Sequence, residues 1–314
     1  MDRCVDRASC GLEPIAMPRE TPNLTPILLL GSSLLFALAS VAVKLASPSV
    51  TNEMIVFFRS FFGLIAVTPW LLRDGWTGLR TRYSHQHVTR ALAGLAAMYC
   101  FFYAISHLPL GEAMLLNYSS PLFIPFIARV WLGEPLPKGF GWAVGTGLVG
   151  ITLILKPGSG FFSPAALIGL LSSVLTATAM VSIRGLTRYE PTLRIVFYFG
   201  VVCSVASAPG LVWGWRPLSL HALALLAAVG FLATCGQILL TRAYSLAPAA
   251  RVGPFTYSTV LFAAFFGWLV WGEVPDRLSI AGAALVCTAG VLAIRALEPR
   301  AEEAPEEAIP EAAM

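Results

Sequence analysis

Between residues 24 and 297 the sequence is a near-unbroken succession of apolar stretches, each about as long as a bilayer crossing and separated by short polar or Pro/Gly turns such as SPSVTNE, HLPLGE and KPGSG. A helix crosses the hydrocarbon core with about 20 mostly apolar residues. Ten windows have that character, at about 24–46, 54–72, 89–107, 113–132, 139–155, 164–183, 193–213, 219–240, 250–271 and 279–297. Only 12% of the residues are charged and 57% are hydrophobic, against roughly 25% charged in a soluble domain. A water-soluble fold has nowhere to bury that much apolar surface, and the short turns leave no room for a separate soluble domain. Backbone polar groups in hydrocarbon must be satisfied within their own segment, so the windows read as helices. A transmembrane barrel would alternate apolar and polar residues, and these runs do not.

The ends are different in character. Residues 1–23 form a polar tail carrying Asp2, Asp6, Glu13 and Glu20. The Ala37-Leu38-Ala39 stretch imitates a secretory cleavage site, but the apolar run continues past it to Lys44, so the segment reads as a retained helix. From residue 298 the chain is EPRAEEAPEEAIPEAAM, an Ala/Glu/Pro-rich composition expected to stay solvated and disordered. Cys4 and Cys10 lie in the first tail, and Cys100, Cys203, Cys235 and Cys287 fall in apolar windows without ligand-like spacing. Neither a disulfide framework nor a metal site is expected, and no cofactor is implied.

Basic residues give the orientation. With the N-terminus cytoplasmic, fifteen Lys/Arg fall in inner segments, Arg90 counted among them, and four in outer segments (Lys44, Lys156, Arg216 and Arg277), with Arg59 and Arg129 inside helices. That asymmetry in short loops predicts an inner-membrane protein with both termini cytoplasmic and an even number of crossings. The net charge of +4 then reflects topology, and nucleic-acid binding has no support.

The chain also repeats itself. GEAMLLNYSSPLFIPFIARVWLGE, residues 111–134, and ARVGPFTYSTVLFAAFFGWLVWGE, residues 250–273, match at Tyr118/Tyr257, Ser119/Ser258, Leu122/Leu261, Phe123/Phe262, Phe126/Phe265, Gly133/Gly272 and Glu134/Glu273. The correspondence extends to Ala104/Ala243, Ser106/Ser245 and Pro109/Pro248, and slips by one at Val43-Lys44 against Ile183-Arg184. Five helices per half is an odd number, so the second half enters the membrane upside down relative to the first. The expected fold is an all-α polytopic membrane protein, ten transmembrane helices arranged as two inverted five-helix repeats over residues 24–156 and 163–297. Secondary transporters use such repeats, which rock around a site near the bilayer midplane.

Two halves of five helices, the AISHLPLGEA and AYSLAPAARV stretches, and the WLGE and VWGE signatures followed by a Gly/Ala-rich closing helix resemble the drug/metabolite transporter superfamily, specifically its EamA-type bacterial branch. The resemblance implies a carrier. Members of the superfamily move amino acids, nucleotide derivatives, flavins, polyamines, drugs and amino-acid-derived metallophores, many of them outward.

Other chemistries find little footing. Gly145-Thr146-Gly147-Leu148-Val149-Gly150 satisfies G-x-G-x-x-G, yet it lies inside an apolar helix rather than between strand and helix. Small residues that let helices approach closely account for it, including Gly141 and Gly145 at G-x-x-x-G spacing. No phosphate-loop G-x-x-x-x-G-K-[ST] occurs. A membrane enzyme is the main alternative class, but Asp2, Asp6, Asp74 and Asp276 fall in tails or loops, Glu112, Glu134 and Glu273 at helix ends, and His85, His87, His107 and His221 in loops or near membrane surfaces. Nothing assembles an acid/base pair in the bilayer interior.

The candidate path residues follow from the cost of polarity in hydrocarbon. An ionisable residue there costs roughly 2.5–3.5 kcal/mol on insertion scales and tends to face the bundle interior. Arg59, about one and a half turns inside the second window, either holds a cargo carboxylate or pairs with Glu53 or Glu112. Lys44 can snorkel to the outer interface. Asn117, Tyr118, Ser119 and Ser120 early in the fourth window, and Thr256, Tyr257, Ser258 and Thr259 early in the ninth, either line a polar site from opposite sides or stitch helices at about 0.6 kcal/mol each. Tyr99 and Gln237 are further lining candidates. Met98, Phe101, Phe102 and Tyr103 extend Tyr99 into an aromatic-rich run that is either a stacking wall or a packing surface. Pro121 and Pro125 predict a broken or kinked fourth helix. The expected activity is export of a small polar, amino-acid-like or carboxylated metabolite, an opine-type metallophore being one such cargo, with import of a vitamin or nucleoside-like compound as the second reading.

Overall fold

The structure is a computed structural model that describes residues 24–73, 79–132, 140–155, 163–186, 189–246 and 257–296; the two tails, Glu134, Lys138, Lys156 and Thr256 lie outside the described residues. The elements in chain order are α1 (Leu24–Ala46), α2 (Asn52–Arg73), α3 (Ser84–His107), α4 (Leu110–Asn117), α5 (Ile124–Leu132), α6 (Phe140–Leu155), α7 (Pro164–Leu186), α8 (Thr192–Ser207), α9 (Leu211–Gly214), α10 (Leu220–Leu246), α11 (Ser258–Trp271) and α12 (Arg277–Ala296). Among the described residues there is no strand. Five helical stretches are long and apolar enough to cross a membrane: Leu24–Ala46, Ser84–His107, Pro164–Ile183, Thr192–Gly214 and Leu220–Ala243. Val144–Leu153, Ser258–Trp271 and Arg277–Ala289 are shorter apolar helices.

The fourth window is broken where its prolines require. α4 stops at Asn117, a 3₁₀ turn with Pro121 in its first positions covers Ser120–Leu122, and α5 starts at Ile124. Proline has no N–H to donate and clashes with the preceding turn, so the ladder is interrupted here.

The main packing partners are α1 with α10, α3 with α7, and α6 with α12; α2 lies against both α8 and α10, and α11 against α1 and α4. Small residues set these distances. A Cβ added at Gly230 of α10 would collide with Phe62 and come within 3.2 Å of the Arg59 carbonyl oxygen, and one added at Gly63 of α2 would collide with the Thr234 hydroxyl. The α2 and α10 backbones therefore cross in direct contact just below Arg59. In α6 the expectation for Gly141 and Gly145 fails: nothing lies within 4 Å of a Cβ at either. The close approach is made instead by Gly150, whose Cβ would meet the Gly282 carbonyl oxygen at 2.9 Å, and by Gly147 against Leu122. The pattern of small residues is legible in the sequence, but which face of the helix is buried, about half a turn from Gly141 and Gly145, is not.

Candidate functional site

A cavity of about 150 Å³ opens between α1, α2, α3, α4, α7, α8 and α10. Arg59 of α2, Arg90 of α3, Asn117 and Tyr118 at the end of α4, and Gln237 of α10 supply its polar lining. Phe36, Met98, Phe101, Phe102, Met180 and Ile183 form much of the apolar remainder. The volume is below the roughly 300–1,000 Å³ usual for small-molecule sites, so a cargo larger than a few heavy atoms needs the walls to part.

Two guanidinium groups converge on one ring. The Arg90 guanidinium carbon lies 3.7 Å from the centre of the Phe199 ring and that of Arg59 lies 5.2 Å from it, the geometry of cation–π attraction. Gly94, one turn after Arg90, leaves the space they need: a Cβ there would stand 2.8 Å from the Phe199 ring and 3.0 Å from Arg90 Nη1. Among the described residues no ion pair joins Arg59 to Glu53 or Glu112. Glu112 instead accepts a hydrogen bond from the Ser279 hydroxyl at 2.8 Å, and Glu53 packs beside Gly210 and Gly214. In the sequence Arg90 reads as an inner flanking residue, at the very start of the 89–107 window. The helix starts five residues earlier, at Ser84, so Arg90 is in its second turn and only 5% exposed.

The neutral polar residues divide. Asn117 lines the cavity while its amide donates to Ser172 Oγ at 2.9 Å and Thr176 Oγ1 at 3.2 Å, tying α4 to α7. Tyr118 also lines the cavity, with Thr259 of the second duplicated stretch as a neighbour. Gln237 Nε2 donates to Thr241 Oγ1 at 3.4 Å. Four candidates fall outside the cavity lining. Ser119 is fully buried and donates to the Leu115 carbonyl at 3.0 Å. Tyr257 turns toward α12, its hydroxyl donating to the Val286 carbonyl at 3.5 Å, and half-buried Ser258 begins α11 beside it. Tyr99 points to the other end of the bundle, its hydroxyl 3.4 Å from where a Gly210 Cβ would sit. The sequence symmetry matched Tyr118 with Tyr257, but equal positions in two helices do not present equal faces once the neighbouring helices differ. The aromatic-rich run also splits: Met98, Phe101 and Phe102 are cavity wall, whereas Tyr103 stacks on His107 at 4.1 Å.

Two ionic clusters flank the cavity. Lys44, one turn beyond cavity-lining Ser40, does not snorkel outward; its ammonium pairs with Glu273, donates to the Leu108 carbonyl at 3.0 Å and lies 5.1 Å from the Trp271 ring. Glu273 in turn accepts the Leu110 N–H at 2.8 Å, capping the start of α4. Gly272 makes this possible: its φ of 67° is left-handed, a conformation glycine adopts without strain, and it ends α11 so that Glu273 folds back. At the opposite end of α3, Glu190 accepts from Arg194 at 2.5 Å and from the Thr81 hydroxyl at 2.6 Å. His87, expected in a loop or near a surface, is 1% exposed and packs at a tilt against the Tyr198 ring, 4.6 Å between centres.

The EamA-like transporter family matches residues 23–156 and again 163–295. The chain belongs to the EamA-like transporter family. It is therefore a multi-pass membrane protein of a transporter family, and the cavity lies within the membrane-embedded bundle. The pseudopaline exporter CntI of Pseudomonas aeruginosa is 37% identical over 261 residues, 82% of this chain and 91% of the relative. A riboflavin transporter of Brucella anthropi is 28% identical, covering 83% of this chain and 94% of the relative. An S-adenosylmethionine uptake transporter of Rickettsia bellii is 27% identical, covering 76% and 82%. A solved crystal structure matches with a TM-score of 0.58 at 20% identity, over 88% of this chain and 99% of its own, a likeness of fold.

Proposed function

We propose that this EamA-family protein is a secondary carrier of the bacterial inner membrane, both termini cytoplasmic, that exports a small polar, amino-acid-like or carboxylated metabolite by alternating access; an opine-type metallophore falls within that class. The observation that carries the reading is Arg59, a cation lining a cavity inside the bundle with no ion pair to a carboxylate among the described residues. An uncompensated guanidinium in a low-dielectric site is costly, and a cargo carboxylate that forms a bidentate contact relieves that cost while it is bound. The 37% identity to an exporter favours outward movement.

Ten crossings in two inverted halves, 24–156 and 163–297, fit the packing. Exchanging the halves exchanges the pair α1 with α10 for α7 with α3, and the pair α1 with α11 for α7 with α4, and both members of each exchange occur. Tyr118 and Thr259, neighbours from the two duplicated stretches, then lie at the seam on which the halves rock.

Uptake of a flat, uncharged-to-cationic nutrient is the second reading, favoured by the aromatic wall of Phe101 and Phe102 and by the names of the relatives at 27–28% identity. Counterflow in proteoliposomes preloaded in turn with an opine-type amino dicarboxylate, riboflavin and S-adenosylmethionine separates the two. Exchange of the dicarboxylate is expected. Exchange of riboflavin or S-adenosylmethionine in its place would transfer the assignment to uptake.

A further inference from the structure

We propose that the cavity binds a cargo with two separate anionic groups, an amino dicarboxylate, one carboxylate held by Arg59 and the other by Arg90. This rests on the reading of the chain as a carrier of carboxylated cargo, and adds to it the number and placement of the charges. Arg90 is only 5% exposed, and its Nε and Nη1 have no hydrogen-bond partner. It lines the same cavity as Arg59. Among the described residues neither arginine forms an ion pair, so two positive charges share one apolar space without a counter-anion.

Their common contact with Phe199 places them within reach of one small molecule. They come from different helices, α2 and α3, so each can hold its own carboxylate. A single carboxylate would leave one guanidinium uncompensated in a medium where charges are poorly screened. Two carboxylates neutralise both, and the bidentate fork of each guanidinium matches a carboxylate edge. In the same lining Asn117, Tyr118 and Gln237 offer amide and hydroxyl groups for the amine of an amino dicarboxylate. Cys203, packed beside the same arginines, is committed elsewhere, its thiol donating to the Ala91 carbonyl at 3.5 Å.

The test is thermal stabilisation of the full-length carrier in nanodiscs, because a ligand that binds the folded state raises its melting temperature with concentration. The probes are N-(1-carboxyethyl)-L-alanine, which has two carboxylates, and its two monoamides. For the wild type, the diacid is expected to bind at least tenfold more tightly than either monoamide. Arg90→Gln should abolish that preference, and Arg90→Lys, which keeps the charge, should retain part of it. Equal affinity for diacid and monoamides in the wild type would overturn the two-anion inference and leave the single-carboxylate carrier standing. Stabilisation by neither would sink both. Since the preference is read first on the wild type, a variant that fails to fold does not rescue the proposal.

Discussion

Breaking the Lys44–Glu273 pair should open the end of the cavity nearest the α1 C-terminus. The two side chains are 13% and 23% exposed, between the surface pairs worth roughly 0–1 kcal/mol and the buried pairs whose disruption costs about 3–5 kcal/mol. Lys44→Met removes the ion pair and the hydrogen bond to the Leu108 carbonyl, and we take about 2 kcal/mol for their sum, a charge-assisted bond alone being worth about 1.5–3 kcal/mol. If these contacts exist only in the state closed at that end, the open population rises by about 30-fold. Glu273→Gln keeps an acceptor for the Leu110 N–H and should give a smaller shift. The assay is maleimide labelling of a single cysteine at cavity-lining Val43, buried at 1% exposure, in a Cys-depleted background, from each side in turn. Labelling from the Lys44 side should accelerate by about 30-fold in Lys44→Met, and the charge-swapped double variant Lys44→Glu/Glu273→Lys should return it toward the wild-type rate. An unchanged labelling rate in Lys44→Met at normal abundance would refute the idea that this pair holds that end shut.

Other consequences are sharp enough to measure. Tyr118→Phe removes the hydroxyl of a cavity-lining residue and should weaken cargo binding several-fold, about 1 kcal/mol, whereas Tyr257→Phe, facing Val286, should leave affinity unchanged; the reverse order would relocate the site toward α11. Gly230→Val forces a side chain into the α2–α10 crossing and should cost at least the roughly 1–3 kcal/mol of an overpacked core, read as a lower melting temperature in detergent; unaltered melting would show that the crossing is loose. Cysteines at Ser49, His107 and Trp215 should react with an impermeant reagent from outside intact cells and one at Ser84 should not, and labelling at Ser84 would overturn the orientation.

Much of the architecture is visible in the residues themselves because hydrocarbon imposes a simple rule on them. Apolar windows, two prolines and a charge-poor sequence are enough to expect an all-helical membrane protein with an interrupted fourth window. Arg59 stood out for the same reason, as a charge where charge is expensive. Arg90 carries the same signal and was lost to a boundary set five residues late. Pairings across the bundle are another matter. Lys44 and Glu273 are 229 residues apart, and nothing in either neighbourhood names the other; only the repeat marks Glu273 as special, without saying whether it serves structure or transport. Helix rotation was equally hidden, since it decides whether Tyr257 faces the cavity or Val286, and whether Gly145 or Gly150, about 140° apart around one helix, meets a neighbour.

The central claim is that cargo crosses the membrane through the cavity that holds Arg59. Its most direct test is counterflow of a labelled amino dicarboxylate into proteoliposomes containing equal amounts of wild-type protein and the Arg59→Ala variant. Exchange by the wild type and a loss of at least tenfold in the variant, with Arg59→Lys in between because a point ammonium does not reproduce a bidentate contact, is the expected result. Undiminished exchange by Arg59→Ala would contradict the account.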